Sequence, residues 1–505
     1  MYSAMTTLGF AAESSYKGPI NLAGAPKGKS ILILGAGLAG LVSAYELEKA
    51  GYKVQVLEYN ERAGGRCWTL RGGDTFTELG GAVQHCEFDN GLYFNPGPWR
   101  IPYHHYGVLD YCSRFGVSLE PFIQVNYNAY LHSPNAYGGK PQRYRDVHTD
   151  FSGYVAELLG KAVNTGALDG NLSKEDGEKL LEALRSWGAL DEKNRYTKSI
   201  TSSLRRGFAV PLGGGLMLAP EPSTPGDFGE LLRSGLWRFL EIGGEHEFQA
   251  SIFQPVGGMD MIAWAFQQRV GHLIHFNAKV TEIRQDDSGV TVGYVDAKKG
   301  GATVKARADY CVCTIPLSIL SQIPINVGPA MSEAISAVPY AEGVKVGLQF
   351  KRKFWEQDER IFGGITYTSL PIDRIGYPNN DYGKPGKGVL LGAYIFRRNA
   401  YEFTAMPPQE RVRRAVEQGA QIHPQYAAEF ENGIAVGWHR VPWTHGCFGR
   451  WSDEARRKHY RNLCEIDGRI VLAGEHASML FGWQEGAVLS ALDAITRLHA
   501  RIVES

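Results

Sequence analysis

Six consecutive residues, Gly35-Ala36-Gly37-Leu38-Ala39-Gly40, have the glycine spacing of a turn that holds a pyrophosphate. An apolar run, Ser30–Leu34, leads into them, and a segment of helical character follows as far as Ala50. Lys53–Leu57 reads as a second strand and ends in Glu58, 23 positions past Gly35. Strand, glycine turn, helix, strand and acid make the dinucleotide-binding βαβ layout. The glycines allow a tight turn and close backbone approach, and the helix N-terminus adds partial positive charge. Glu58 is placed to accept hydrogen bonds from ribose hydroxyls. Gly64-Gly65-Arg66 sets a guanidinium nearby, a group suited to phosphate. Near the other end, the strand-like Arg469–Leu472 runs into Ala473-Gly474-Glu475, a second glycine–acid segment.

Other elements must carry the remaining polar residues. Lys345 lies in Val344–Phe350, where alternation puts it on one face with Gly347 and Gln349, away from the apolar set. Lys279–Arg284, Val290–Val295 and Thr303–Ala306 read as strands, with a turn at Lys298-Lys299-Gly300-Gly301. Tyr310–Ile315 and Val389–Ile395 read as further strands. From Asp146 to Glu247 the pattern is helical, with Ser173 and Asp176 as a capping pair and Pro211–Pro225 as a loop. The last helix carries Val488, Leu492, Ile495, Leu498 and Ile502 as a core stripe.

With 505 residues the chain has room for about three domains. Lys+Arg and Asp+Glu are 53 each, a balance that argues against a nucleic-acid or acidic-membrane partner. No apolar run is long enough to span a bilayer and no secretory signal is visible, so a cytoplasmic protein is expected. Seven scattered cysteines predict no disulfide framework, and Cys311 and Cys313 read as core residues. No metal site is expected.

Taken together, the sequence resembles the flavin amine oxidase family, and within it the L-amino-acid oxidases. The matching pieces are the Gly35–Gly40 turn with Glu58, Gly64-Gly65-Arg66, Glu78-Leu79-Gly80-Gly81, Gly97-Pro98-Trp99-Arg100-Ile101-Pro102 and Pro255-Val256-Gly257-Gly258-Met259-Asp260. Lys345 ahead of Lys353-Phe354-Trp355 follows, then Ala473-Gly474-Glu475 and Gly482-Trp483-Gln484-Glu485-Gly486-Ala487. The resemblance implies an α/β chain (α+β as a whole). Its Rossmann-like FAD-binding domain would come from 29–95, 256–335 and 466–505, a mixed-sheet substrate domain from 96–145 and 336–465, and a helical domain from 146–255, after a lead-in over 1–28.

The resemblance also implies roles. FAD would be held by Gly35, Ala36, Gly37, Leu38, Ala39, Gly40, Glu58, Gly64, Gly65, Arg66, Gly80, Gly81, Trp99, Arg100, Val280, Glu475, Trp483, Gln484 and Ala487. Arg100 and Tyr377 would grip a substrate carboxylate, a task that suits a guanidinium fork. Gly482 would accept from the substrate amine through its carbonyl, Trp438 and Trp483 would line the flavin, and Lys345 would act near flavin N5. Gly446-Cys447 resembles the site where monoamine oxidases bond flavin covalently, whereas amino-acid oxidases hold FAD without a bond, and the latter is expected here. The implied reaction is oxidative deamination of L-amino acids to 2-oxo acid, ammonia and hydrogen peroxide, with dioxygen as acceptor, in a homodimer. An amino-acid 2-monooxygenase and an amine oxidase without carboxylate recognition remain as alternatives. Trp237, Phe239, Trp438 and Trp443 favour an aromatic or large apolar side chain, while Asp227, Glu230, Glu241, Glu245 and Glu247 could receive a basic one.

Overall fold

A computed structural model describes residues 13–168, 170–217 and 219–504. The first twelve residues of the expected lead-in lie outside the described residues. Ser30–Leu34 is the middle strand of a five-stranded parallel sheet, ordered Ile274–His275, Lys53–Leu57, Ser30–Leu34, Tyr310–Cys313 and Ile470–Leu472. Its register sets Ile31 beside Val54 and Tyr310. Both faces of the sheet are covered, as parallel sheets require. The helices Leu38–Lys49 and Gln484–Glu504 pack on one face around Ile33, Leu41, Val42, Ala491 and Ile495. The antiparallel strands Ala278–Asp286, Gly289–Asp296 and Ala302–Ala308 share the core on the other. Cys311 and Cys313 are fully buried there, and all seven cysteines are free.

The second large sheet has seven strands, ordered Gln142–Arg143, Tyr130–His132, Ile365–Thr368, Arg374–Gly376, Gly388–Ile395, Val344–Phe350 and Phe430–Gly437. All its pairings are antiparallel except Tyr130–His132 with Ile365–Thr368. Val344–Phe350 is buried along its whole length, so Lys345 is sealed inside the protein on the face that alternation assigned to it. The helices Arg397–Thr404 and Pro408–Gly419 cover the apolar face.

Helices Tyr144–Asn164, Lys174–Trp187, Ile200–Arg206 and Phe228–Ser234 form the helical stretch. Ser173 caps the second of them by accepting from the Asp176 amide. This stretch returns through Ile252–Pro255, which pairs with Ile101–Pro102 and Leu119–Pro121 and so ties its end to the segment carrying Arg100. Among the described residues no helix is long and apolar enough to cross a membrane.

Candidate active site

A cavity of about 650 Å³ runs from the glycine turn to the edge of the seven-stranded sheet. Its first end is built from backbone. The carboxyl ends of Ser30–Leu34 and Tyr310–Cys313 deliver Gly35 and Thr314 to the cavity, the place where ligands sit in such sheets. Gly35 has φ +100°, and a Cβ there would lie 2.7 Å from Thr314 Oγ1. Gly40 serves packing: a Cβ on it would lie 1.9 Å from the Gly35 carbonyl oxygen. Gly37 faces open space. Glu58 lines the cavity and ties the unit together, its Oε2 accepting from Ala36 N at 2.6 Å and its Oε1 from Asn60 N and Nδ2 at 2.8 Å each. Leu38, Ala39, Gly64, Gly65 and Val280 line the same end.

Arg66 and Glu475 occupy the middle. Arg66 Nη1 donates to Glu475 Oε1 at 2.7 Å and to the Cys447 carbonyl at 3.1 Å. Glu475 also accepts from the amides of Gly449 and Gly482, at 3.0 Å each. Burial opposes ionisation of Glu475, but Arg66 and these donors outweigh it and hold the carboxyl below its ordinary range. Gln484 and Ala487 bring the first turn of the last helix to the wall.

The far end is built from side chains. Arg100 is 8% exposed. Its Nε and Nη1, together with Trp483 Nε1, are buried without a hydrogen-bond partner among the described residues. Its guanidinium carbon lies 4.4 Å from the Phe248 ring centre, 5.4 Å from that of Trp99 and 5.9 Å from that of Trp483. Buried donors in this state cost about 1–3 kcal/mol each unless an acceptor enters. A carboxylate is the acceptor that a guanidinium fork fits best. Lys345 Nζ donates to the carbonyls of Gly97, at 2.6 Å, and Asn95, at 3.3 Å, directly behind the cavity wall. Burial pushes its pKa down to about 7, with Arg100 and Arg374 adding to the effect. Trp438 lines the cavity and donates to the Pro96 carbonyl at 2.8 Å.

Several expected site residues stand elsewhere. Tyr377 is in the core of the seven-stranded sheet, its hydroxyl 2.8 Å from Thr366 Oγ1 and 2.6 Å from His423 Nε2, so it is not positioned to share a carboxylate with Arg100. Ala36, Gly40, Gly80 and Gly81 do not line the cavity, although Leu79 does. Asp227 caps a helix and Glu230 accepts from the Tyr137 amide. None of Asp227, Glu230, Glu241, Glu245 and Glu247 reaches the wall. Trp237 stacks on Phe151 and Phe239 on Tyr367, outside the cavity, whereas Trp443 lines it.

Sequence reading missed Phe248, Arg374, Tyr394, Phe396 and Phe448, which complete the far end. No local motif marks them. Only the recurrence of aromatic residues near strand ends could have drawn attention to Tyr394 and Phe396.

The arrangement joins a backbone-built glycine turn at a helix N-terminus to a cationic, aromatic-walled chamber along one cavity. Residues 38–498 match the model of the flavin-containing amine oxidoreductases, and the chain belongs to that family. It is similar to an L-amino acid oxidase of Bothrops pictus, 30% identical and covering 93% of this chain and 90% of that one. It is also similar to the L-amino-acid oxidase of Naja atra, 27% identical with 92% and 87% covered. Putrescine oxidase bound to putrescine (TM-score 0.59, 17% identity, 94% and 99% covered) and the cyclohexylamine oxidase of Brevibacterium oxydans IH-35A (0.61, 16%, 95% and 99%) share the fold.

A flavin is the cofactor of this family. The residues present fit one: an open glycine turn at a helix N-terminus, an acid beside it, and flat tryptophan walls further along.

Proposed function

We propose that the protein is an FAD-dependent L-amino-acid oxidase that releases 2-oxo acid, ammonia and hydrogen peroxide. The observation that carries this reading is Arg100, buried in the cavity with Nε and Nη1 awaiting an acceptor. An amine without a carboxylate would leave those two donors without an acceptor, at a cost that disfavours its binding.

In this reading Gly35, Gly37, Leu38, Gly64 and Gly65 take the pyrophosphate and Glu58 the ribose, with FAD held non-covalently. Arg100 takes the α-carboxylate through its two orphaned donors, aided by Trp483 Nε1. The Gly482 carbonyl accepts from the amine, so two points fix the direction of the Cα–H bond. A bound flavin supplies the oxidising equivalent by accepting hydride from that carbon. Trp99, Trp438, Phe248 and Phe448 exclude water from the exchange, and their rings suit a long or flat side-chain stem. Lys345, anchored on two carbonyls, holds a proton that can be given or taken near neutral pH.

Anaerobic addition of L-amino acids to the holoenzyme tests the reading through loss of the oxidised-flavin absorbance. Bleaching by amino acids but not by their decarboxylated amines is expected. Bleaching by the amines alone would replace this reading with an amine oxidase.

A further inference from the structure

Arg100 faces an acid as well as the chamber. Residues 245–255 and 100–105 run side by side: Ile252 pairs with Pro102 and Phe253 with Ile101, and the Tyr103 amide donates to the Ser251 carbonyl at 3.0 Å. Just before that pairing comes a single turn, His246–Phe248, in which the Phe248 amide donates to the Glu245 carbonyl at 2.8 Å. The turn sets Glu247 next to Phe248, whose ring centre lies 4.4 Å from the Arg100 guanidinium carbon. Phe248 and Arg100 line the cavity, while Glu247 stays behind the wall. Glu247 Oε2 is buried and, like Arg100 Nε and Nη1, has no hydrogen-bond partner among the described residues. An acid and a guanidinium thus act on each other's charge without being bonded through these atoms.

The other titratable groups nearby leave Arg100 as the counter-charge of Glu247. Glu245, two residues back, repels it. His246 Nε2 faces the Tyr103 hydroxyl at 3.5 Å, and the His104 ring centre lies 4.3 Å from that of His246. Burial, with repulsion from His246, lowers His104 to about 4, and burial with repulsion from both rings holds His105 well below its ordinary range, so neither is charged at neutral pH. Burial, with repulsion from Glu245, raises the Glu247 carboxyl to about 7, against a downward pull from Arg100. A carboxylate on Arg100 cancels that pull and adds a negative charge, and both changes favour the protonated acid. An arginine with no counter-charge in an empty chamber would be costly, yet a bonded partner would have to be broken before a ligand entered. An acid held behind Phe248 avoids both costs. It leaves the guanidinium fork open, and it loses its charge by taking a proton instead of moving.

Building on the amino-acid oxidase reading, we propose that Glu247 is the resident counter-charge of Arg100 and that a substrate's α-carboxylate takes its place. As the carboxylate binds the guanidinium, an O–H bond forms on Glu247 with a proton from solvent, and no other bond changes. Glu247 is then a positioning residue that acts on the ligand through Arg100, and amino-acid binding is coupled to uptake of a proton.

The test uses the holoenzyme with benzoate, a monocarboxylate ionised across the range used, and benzamide, its uncharged counterpart. Binding is read from the flavin spectrum and proton uptake from an indicator dye in unbuffered solution. At about pH 7.5 benzoate should draw in about half a proton per site and benzamide none. By linkage the benzoate Kd should rise about fivefold between about pH 6.5 and about pH 8.5, while that of benzamide stays level. Glu247→Gln should abolish the uptake, flatten the profile and bind benzoate about fivefold tighter than the wild type at about pH 8.5. Glu245→Gln, which removes a repelling neighbour but keeps Glu247, should retain the uptake and move it to lower pH. If Glu247→Gln does not fold, the comparison of benzoate with benzamide in the wild-type protein decides alone. Benzoate binding through Arg100 with no proton taken up, or uptake that survives Glu247→Gln, overturns this proposal alone. Benzoate that binds Arg100→Met as tightly as the wild type, or binds neither, defeats the amino-acid reading beneath it.

Discussion

The two ends of the cavity are built on opposite plans. At the nucleotide end the working groups are backbone, and the polar side chain beside them, Glu58, already has three amide partners. At the far end the working groups are side chains from residues 99–100, 248, 374, 394 and 483, and Arg100 Nε and Nη1 and Trp483 Nε1 have no hydrogen-bond partner among the described residues. The first end is complete without ligand, as suits a group that stays bound. The second is incomplete, as suits one that enters and leaves, because its unpaired donors recover their cost only when an acceptor arrives.

Breaking the joint between the ends should have the largest effect. Glu475→Gln strips the counter-charge from part-buried Arg66, so a loss of about 3 kcal/mol is expected, read as a lower Tm. Because the Glu475 carboxyl is held below its ordinary range, the stability it gives is present at neutral pH and lost as pH falls through its folded value. The variant should show a flatter acid limb in the stability profile.

At the nucleotide end, Gly40→Ala forces a Cβ against the Gly35 carbonyl. About 1–3 kcal/mol of destabilisation is expected, with reduced flavin per protein on purification. A variant with normal flavin content and normal Tm would show that the helix can retreat from the strand.

Lys345 should reveal itself through pH. Its charged form, present below about 7, is lost as pH rises. If that proton serves flavin reoxidation, the rate should fall about tenfold per pH unit above about 7 in the wild type and lose this slope in Lys345→Met. The smallest effect is expected at Trp438. Trp438→Phe removes the hydrogen bond to Pro96 and should cost about 1 kcal/mol with modest change in turnover.

The same contrast explains what the sequence made legible. The βαβ unit is contiguous, so Gly35, Gly40 and Glu58 announce themselves through spacing, and Ser30–Leu34 and Lys53–Leu57 are strands over those residues. Lys345 was readable because one charge in an apolar strand is conspicuous. Phe248 and Arg374 were not, since each is brought to the cavity by long-range pairing: Ile252–Pro255 onto Ile101–Pro102, and Arg374–Gly376 onto Gly388–Ile395. Tyr377 shows the opposite failure. A tyrosine three residues past Arg374 fits a local pattern, yet its hydroxyl satisfies Thr366 and His423 instead.

In the proposed function Arg100 is the residue that selects amino acids over simple amines. Its most direct test compares L-phenylalanine with phenethylamine in anaerobic flavin reduction, for the wild type and Arg100→Met. A strong wild-type preference for the amino acid is expected, shrinking by about 30-fold or more in the variant while flavin content holds. A preference that survives the loss of Arg100, or a wild type that prefers the amine, would contradict it.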